Sequence, residues 1–315
     1  KVMEELVTQE PDRTDFRSDL SGSFNNVGYV YEAMGQGAKA LEFYEKSLKV
    51  IEELVANEPD RTDFKSDLSV IFNNVGKIYR DMDQGPKALE FFEKSLKVRE
   101  ELVAKEPDRT DFKSDLSVSF NNVGKFYRDM GQGPKALEFF EKSLKVMEEL
   151  IALEPDRTDF RRILSFSLNN VANIYEAMGP GNEALEFFEK SLKIREELVA
   201  KEPDRTDFKS DLSVSFNNVG DLYVSMGQGP KSLEFYEKSL KVIEELVANE
   251  PDRTDFKSDL SVIFNNVGKI YRDMDQGPKA LEFFEKSLKV REELVAKEPD
   301  RTDFRSELSV IFNNV

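Results

Sequence analysis

Apolar residues recur along this chain at steps of three and four. In residues 108–155 a first set comprises Phe112, Leu116, Phe120, Val123, Tyr127 and Met130, at steps of 4, 4, 3, 4 and 3. Such steps put side chains on one face of an α-helix. Ala136, Leu137, Phe140, Leu144, Leu150 and Ile151 form a second such face. Between the two, Gly131 stops the first helix, Gly133 gives a turn, and Pro134 suits the start of the second. Pro155 ends it. Asp108 and Thr110 are N-cap residue types, and Asp111 falls in the first turn. Helices of about 20 residues are about 30 Å long and marginal on their own, so neighbours must supply the packing. Phe126, on the flank of the stripe, is placed to pack on one of them.

The pattern repeats. The string Pro-Asp-Arg-Thr-Asp-Phe begins at Pro11, Pro59, Pro107, Pro155, Pro203, Pro251 and Pro299, always 48 residues apart. Complete units span 12–59, 60–107, 108–155, 156–203, 204–251 and 252–299, with a partial helix over 1–11 and a partial unit over 300–315. Residues 41–112 and 233–304 are identical, which indicates duplication of a four-unit block. The prediction is an all-α protein: a single array over 1–315, built as an α-solenoid of tandem antiparallel helix pairs with extended helices and no strands. Both ends cut through a unit without a polar capping helix, so the chain reads as a segment of a longer array whose N-terminus is missing. The half-units at 1–11 and 300–315 would expose apolar faces, which predicts end-to-end self-association into open filaments.

Phe120, Val123, Gly124, Tyr127, Gly131, Ala136, Phe140 and the Ser143-Leu144 pair fall at the spacing of the tetratricopeptide signature. The chain resembles that family throughout, and the resemblance implies a right-handed superhelix. The usual unit has about 34 residues. The additional length here equals two turns on each helix, near 111–117 in the first and after Val146 in the second. The runs Phe-Asn-Asn-Val-Gly and Ser-Leu-Lys-Val-Arg-Glu-Glu-Leu look most like the longer repeats of kinesin light chain.

On a helical wheel Asn121, Asn122, Lys125, Arg128 and Asp129 point away from the apolar stripe. The resemblance implies that this face of the first helix lines a concave groove where partners lie. The Asn pair occurs at 25–26, 73–74, 121–122, 169–170, 217–218, 265–266 and 313–314. Asn forms helix less readily than Ala, by roughly half a kcal/mol. Two explanations stand. By family analogy, Asn26, Asn74, Asn122, Asn170, Asn218 and Asn266 form a ladder that grips an extended peptide backbone. Alternatively, one Asn of each pair bonds the neighbouring repeat and only holds the stack.

Two further positions on this face vary. One reads Tyr29, Lys77, Lys125, Asn173, Asp221, Lys269; the other reads Glu32, Arg80, Arg128, Glu176, Val224, Arg272. Lys77, Arg80, Lys125 and Arg128 thus make a contiguous basic stretch, and Lys269 and Arg272 repeat part of it. They are candidates for holding acidic side chains or a terminal carboxylate. The competing explanation is an ion-paired surface, with Lys125–Asp129 and Lys77–Asp81 as i, i+4 partners. Val118 is apolar on this otherwise polar face. Arg13 and its copies read as turn chemistry, and Glu138, Glu141 and Glu148 as a solvated outer face.

Composition narrows the function. Lys and Arg number 45 against 62 Asp and Glu, a net charge of −17 in 315 residues. That balance disfavours nucleic acid and anionic membrane surfaces. No apolar run reaches the length of a membrane span. There is no Cys and no His, so disulfides, thiol nucleophiles, His bases and the usual zinc ligands are excluded. Neither a metal nor a cofactor is expected. Every notable acidic residue recurs with the period, whereas an active site needs a unique constellation. The remaining functions are a scaffold that binds extended peptides or proteins along a groove, and a structural spacer that supplies length. Cysteine absence leaves the compartment open.

Overall fold

The computed structural model describes residues 2–179, 181–299 and 301–312. They form fourteen helices: α1 (Val2–Gln9), α2 (Thr14–Ala33), α3 (Gly37–Asn57), α4 (Thr62–Asp81), α5 (Gly85–Lys105), α6 (Thr110–Asp129), α7 (Gly133–Leu153), α8 (Thr158–Met178), α9 (Asn182–Lys201), α10 (Thr206–Ser225), α11 (Gly229–Asn249), α12 (Thr254–Asp273), α13 (Gly277–Lys297) and α14 (Thr302–Phe312). Among the described residues there is no strand. Even-numbered helices are the first of each 48-residue repeat and odd-numbered ones the second. The chain divides into two compact units, residues 1–160 and 161–315. The final Asn pair, at 313–314, lies outside the described residues, as do parts of the two terminal segments.

Helix starts differ from the sequence expectation. Neither Asp108 nor Thr110 caps α6; the N-cap is Arg109, with extended backbone and no side-chain cap bond. The Arg109 N–H bonds the Glu106 carbonyl at 3.1 Å, which fixes a tight turn. Its guanidinium donates to both Asp111 oxygens at 2.8 and 2.5 Å and to Glu106 at 3.2 Å. It also covers the Phe112 ring at 4.2 Å. The other inter-repeat arginines, Arg13 included, make the same contacts. Gly131, at φ +70, ends α6 in the left-handed region that glycine enters freely. Met130, expected in the core, is instead 55% exposed at the helix end.

Within a repeat the two helices approach closely. A Cβ on Gly124 would lie 2.6 Å from Phe140 Cε1, so the α6 backbone rests directly on that ring. Ser117 and Ser143 meet at 2.6 Å between hydroxyls, a buried polar contact that the apolar period did not announce. Across repeats, Phe126 meets Phe92 edge to face, with centroids 6.4 Å apart.

One second-helix position distinguishes the seams between successive first helices. On α3 it is Ile51, which shares an apolar cluster with Ile71 of α4. On α11 it is Ile243, clustered with Ile263 of α12. On α5 it is Arg99, only 4% exposed. Its guanidinium donates to Ser69 Oγ at 3.0 Å, the Asp115 carbonyl at 2.6 Å and Ser119 Oγ at 3.0 Å. Arg195 on α9 does likewise with Ser165 Oγ at 3.1 Å and the Asp211 carbonyl at 2.5 Å. Burial lowers the pKa of both arginines, because neutral oxygens compensate a buried charge only in part. Opposite Ile51 and Ile243 the next first helix carries Ile71 and Ile263, and opposite Arg99 and Arg195 it carries Ser119 and Ser215. At the equivalent sequence positions, Met147 with Ser167 and Arg291 with Ile311 depart from this pattern. Side chains thus change together across these four seams, although the Ser215 hydroxyl itself has no partner among the described residues.

Candidate protein-binding face

The Asn pairs form a ladder between neighbouring first helices. Asn74 Nδ2 donates to Asn25 Oδ1 at 3.0 Å, Asn122 to Asn73 at 2.6 Å, and Asn266 to Asn217 at 3.3 Å. The second Asn of one repeat thus bonds the first Asn of the repeat before it. That first Asn also reaches inward: Asn121 Nδ2 donates to Ser143 Oγ at 2.7 Å. The wheel reading placed these side chains clear of the core, and burial corrects it. Asn121 and Asn122 are 6% and 9% exposed, and Asn170 is 6% exposed. Asn74, Asn218 and Asn266 are half-buried, and Asn26 is exposed. The wheel measured angle against the repeat's own second helix. A first helix also packs on the first helix beside it, α4 on α6 for example, and this widens its buried arc.

The four cations of the basic stretch converge. Lys77, Arg80, Lys125 and Arg128 are all half-buried on the adjoining faces of α4 and α6. The Lys125 ammonium is held below its ordinary pKa, first by burial and then by the positive charges of Arg128, Arg80 and Lys77, with Asp129 opposing. The anticipated i, i+4 ion pairs do not form. Asp81 pairs with Arg80 at 2.9 Å and Asp129 with Arg128 at 2.8 Å, both sequence neighbours. No carboxylate among the described residues ion-pairs with Lys77 or Lys125. Beside them, at the ends of α4 and α6, an open cleft of about 360 Å³ is lined by Arg80, Asp81, Asp83, Phe126, Asp129 and Met130, with Gly85.

In the second unit the same positions carry different chemistry. Asp221 stands where α6 has Lys125, and burial raises its carboxyl pKa, with the Tyr236 bond and Lys269 opposing. Tyr236 donates its hydroxyl to Asp221 at 2.5 Å, and Asn217 donates at 3.1 Å. Glu176, also raised by burial, accepts from Ser225 at 3.3 Å. Lys269 is half-buried and Arg272 exposed. Arg272 approaches Asp273 at 3.4 Å. Tyr44 in the first unit bonds Glu32 at 2.5 Å, so tyrosine takes the place of phenylalanine where a carboxylate needs a donor. Tyrosine stands at this position only in these two complete repeats, and Glu176, at the position of Glu32, is met by Ser225 and not by a tyrosine.

The tetratricopeptide repeat model matches residues 20–60, 70–107, 117–152, 167–203, 213–252 and 262–299. The chain belongs to the tetratricopeptide repeat family. Solved structures agree on the fold. BtubC (BKLC) from P. vanneervenii superposes with a TM-score of 0.63 at 19% identity, over 81% of this chain and 90% of that one. A putative kinesin light chain of nearly identical TPR-like repeats from Podosopora anserina gives 0.51 at 18% identity, over 73% of this chain and 97% of that one. Aspartyl phosphate phosphatase F from Bacillus subtilis gives 0.56 at 14% identity, covering 92% and 75%. No curated protein sequence matches the chain. Tetratricopeptide repeats typically serve as protein-interaction scaffolds and are generally not catalytic. Among the described residues no helix is long and apolar enough to cross a membrane, and no group of acidic side chains is arranged to hold a metal ion.

Proposed function

We propose that this protein is an interaction scaffold whose first-helix face at α4 and α6 receives an extended acidic peptide. The observation that carries this reading is the convergence of Lys77, Arg80 and Arg128 on a half-buried Lys125 whose ammonium they already disfavour. A bound carboxylate would relieve that repulsion, and charge complementarity would select the partner. Asn74 and Asn122 border the same face. Each amide has two N–H groups and one oxygen, of which one N–H is engaged by the neighbouring helix. Asn74 and Asn122, and Asn26, Asn170, Asn218 and Asn266 at the equivalent positions, would then add backbone contacts that are blind to sequence. Lys269 and Arg272 form a weaker second copy, because Lys269 already faces Asp221.

The spacer reading draws on the same ladder, since Asn–Asn bonds between helices support the stack without a ligand. One experiment separates the two. Acidic peptides and their amide counterparts are titrated against the wild-type chain and a variant carrying Lys77→Glu, Arg80→Glu, Lys125→Glu and Arg128→Glu, at low and high salt. The scaffold reading expects salt-sensitive binding of the acidic set that the variant loses with its helicity intact. Equal binding by both proteins would leave the spacer.

A further inference from the structure

The second unit contains an internal example of a cation bound between first helices. At the seam of α8 and α10, Arg162 extends from α8 to Asp211 of α10, with Nε 2.6 Å from a carboxylate oxygen. Its Nη1 lies 2.9 Å from Asp207, which also pairs with Arg205 at 2.8 Å. The guanidinium sits near the rings of Phe166 at 5.5 Å and Phe208 at 5.8 Å. Every other complete repeat has serine at the position of Arg162.

At the next seam, α10 against α12, the counterparts are Ser210, Asp259, Asp255 and Phe256. Asp255 pairs with Arg253 at 2.6 Å, as Asp207 does with Arg205. Asp259, the counterpart of Asp211, has no ion pair or hydrogen bond among the described residues. Nor does the second helix in this seam supply a cation, because it carries Ile243 where α9 carries Arg195. A cavity of about 60 Å³ opens there, lined by Asp259, Ser213, Asn217, Ile263 and the partly exposed Val214 and Val262. The pKa of Asp259 is pushed up to about 6. Burial is the main cause and Asp255 adds to it; Arg291 on α13 opposes, and Glu307 on α14 contributes least.

We infer that the α10/α12 seam is a receptor for the cationic side chain of a basic partner peptide, whose guanidinium takes beside Asp259 and Asp255 the place that Arg162 takes beside Asp211 and Asp207. Val214 and Val262 flank the entry and meet the aliphatic part of the incoming side chain, as amphipathic arginine requires. The planar, always charged guanidinium suits the pair of carboxylates better than an ammonium. This site differs in place and sign from the basic face of α4 and α6, and either can fail without the other.

The probe is a short N-acetylated, C-amidated peptide of alanine and leucine with one central arginine; a glutamine version is the control. Methyl signals of Val214 and Val262 are followed by NMR during titration. In the wild-type chain they are expected to shift saturably with the arginine peptide and not with the glutamine one. Asp259→Asn is expected to weaken binding by about tenfold or more, the scale of a lost charge-assisted contact. Ser210→Arg copies Arg162 into the seam and is expected to block the peptide while circular dichroism stays unchanged. If Ser210→Arg does not fold, Asp259→Asn and the glutamine control decide alone. Absence of a shift in the wild-type chain, equal response to the glutamine peptide, or undiminished affinity in Asp259→Asn would overturn the inference.

Discussion

The α4/α6 and α10/α12 seams are built from equivalent residues and differ in how they handle charge. At α4/α6 the buried position is Arg99, met by Ser69 and Ser119. The outer positions there are Lys77, Arg80, Lys125 and Arg128. At α10/α12 the buried position is Ile243 against Ile263, and the outer ones are Asp221, Val224, Lys269 and Arg272. The helices, the packing glycines and the Asn ladder are shared. The scaffold therefore constrains shape, while a few positions set the local potential. Buried changes come in compensating pairs, Arg99 with Ser119 and Asp221 with Tyr236, because an unpaired polar group in such a seam is costly.

The largest effect should come from breaking one such pair. Ile243→Arg places a charge between Ile263 and its neighbours without the hydroxyl that Ser119 offers Arg99. Ser213 and Asp259, the counterparts of Ser69 and Asp115, compensate only part of that charge, so the expected loss is about 3 kcal/mol, read by urea denaturation. Adding Ile263→Ser should recover part of it. If the single variant matches the double one, the pairing of seam residues is incidental.

Tyr236→Phe removes the donor to Asp221 and copies the phenylalanine of the other seam without its lysine. A cost of about 1–3 kcal/mol is expected at neutral pH. Since Asp221 loses the bond that favoured its charged form, its pKa should rise further above the ordinary value. A carboxyl NMR titration of the variant would show this, and an unmoved Asp221 would contradict it.

Asp259 tests the seam through pH. Its folded pKa of about 6 exceeds the ordinary 3.8. The folded chain therefore binds this proton more tightly than the unfolded chain does. The resulting penalty is absent below the ordinary value, grows as pH rises through the interval, and is complete above about 6. Asp259→Asn should accordingly stabilise the protein at neutral pH, by at most about 3 kcal/mol, and flatten that part of the stability profile. Asp211→Asn in the neighbouring seam should instead destabilise the protein, because it loses the ion pair with Arg162.

The helices and their order are legible in the sequence because apolar period, Gly131 and Pro155 act locally. The seam chemistry is only partly legible. The basic stretch stands out in a list of repeats, and so does the alternation of Ile51, Arg99, Arg195 and Ile243 once it is set beside Ile71, Ser119, Ser215 and Ile263. The orientation of Asn122 is not legible from a wheel drawn on one repeat, since the neighbouring first helix contributes a second buried side. Nor is the ion pairing of Asp129 with Arg128 rather than Lys125, which depends on how deeply Lys125 sinks between helices.

The smallest expected effect concerns the ladder itself. Asn122 meets Asn73 at 2.6 Å, and both are nearly buried. Asn266 meets Asn217 at 3.3 Å, and Asn217 also donates to Asp221. Truncation to alanine removes one neutral hydrogen bond, worth about 0.5–1.5 kcal/mol, and improves helix propensity by roughly half a kcal/mol. At α4/α6 the buried Asn73 oxygen would lose its partner, so Asn122→Ala should cost about 1 kcal/mol net. At α10/α12 the longer bond and half-buried setting leave propensity to offset most of the loss, and Asn266→Ala should be close to neutral. Urea midpoints of the two variants measured side by side test this order. If Asn266→Ala proves as damaging as Asn122→Ala, the ladder acts as one continuous structural element along the helices. If neither is damaging, stack support is not the reason for the Asn pairs, and the case for their contact with a partner's backbone grows correspondingly.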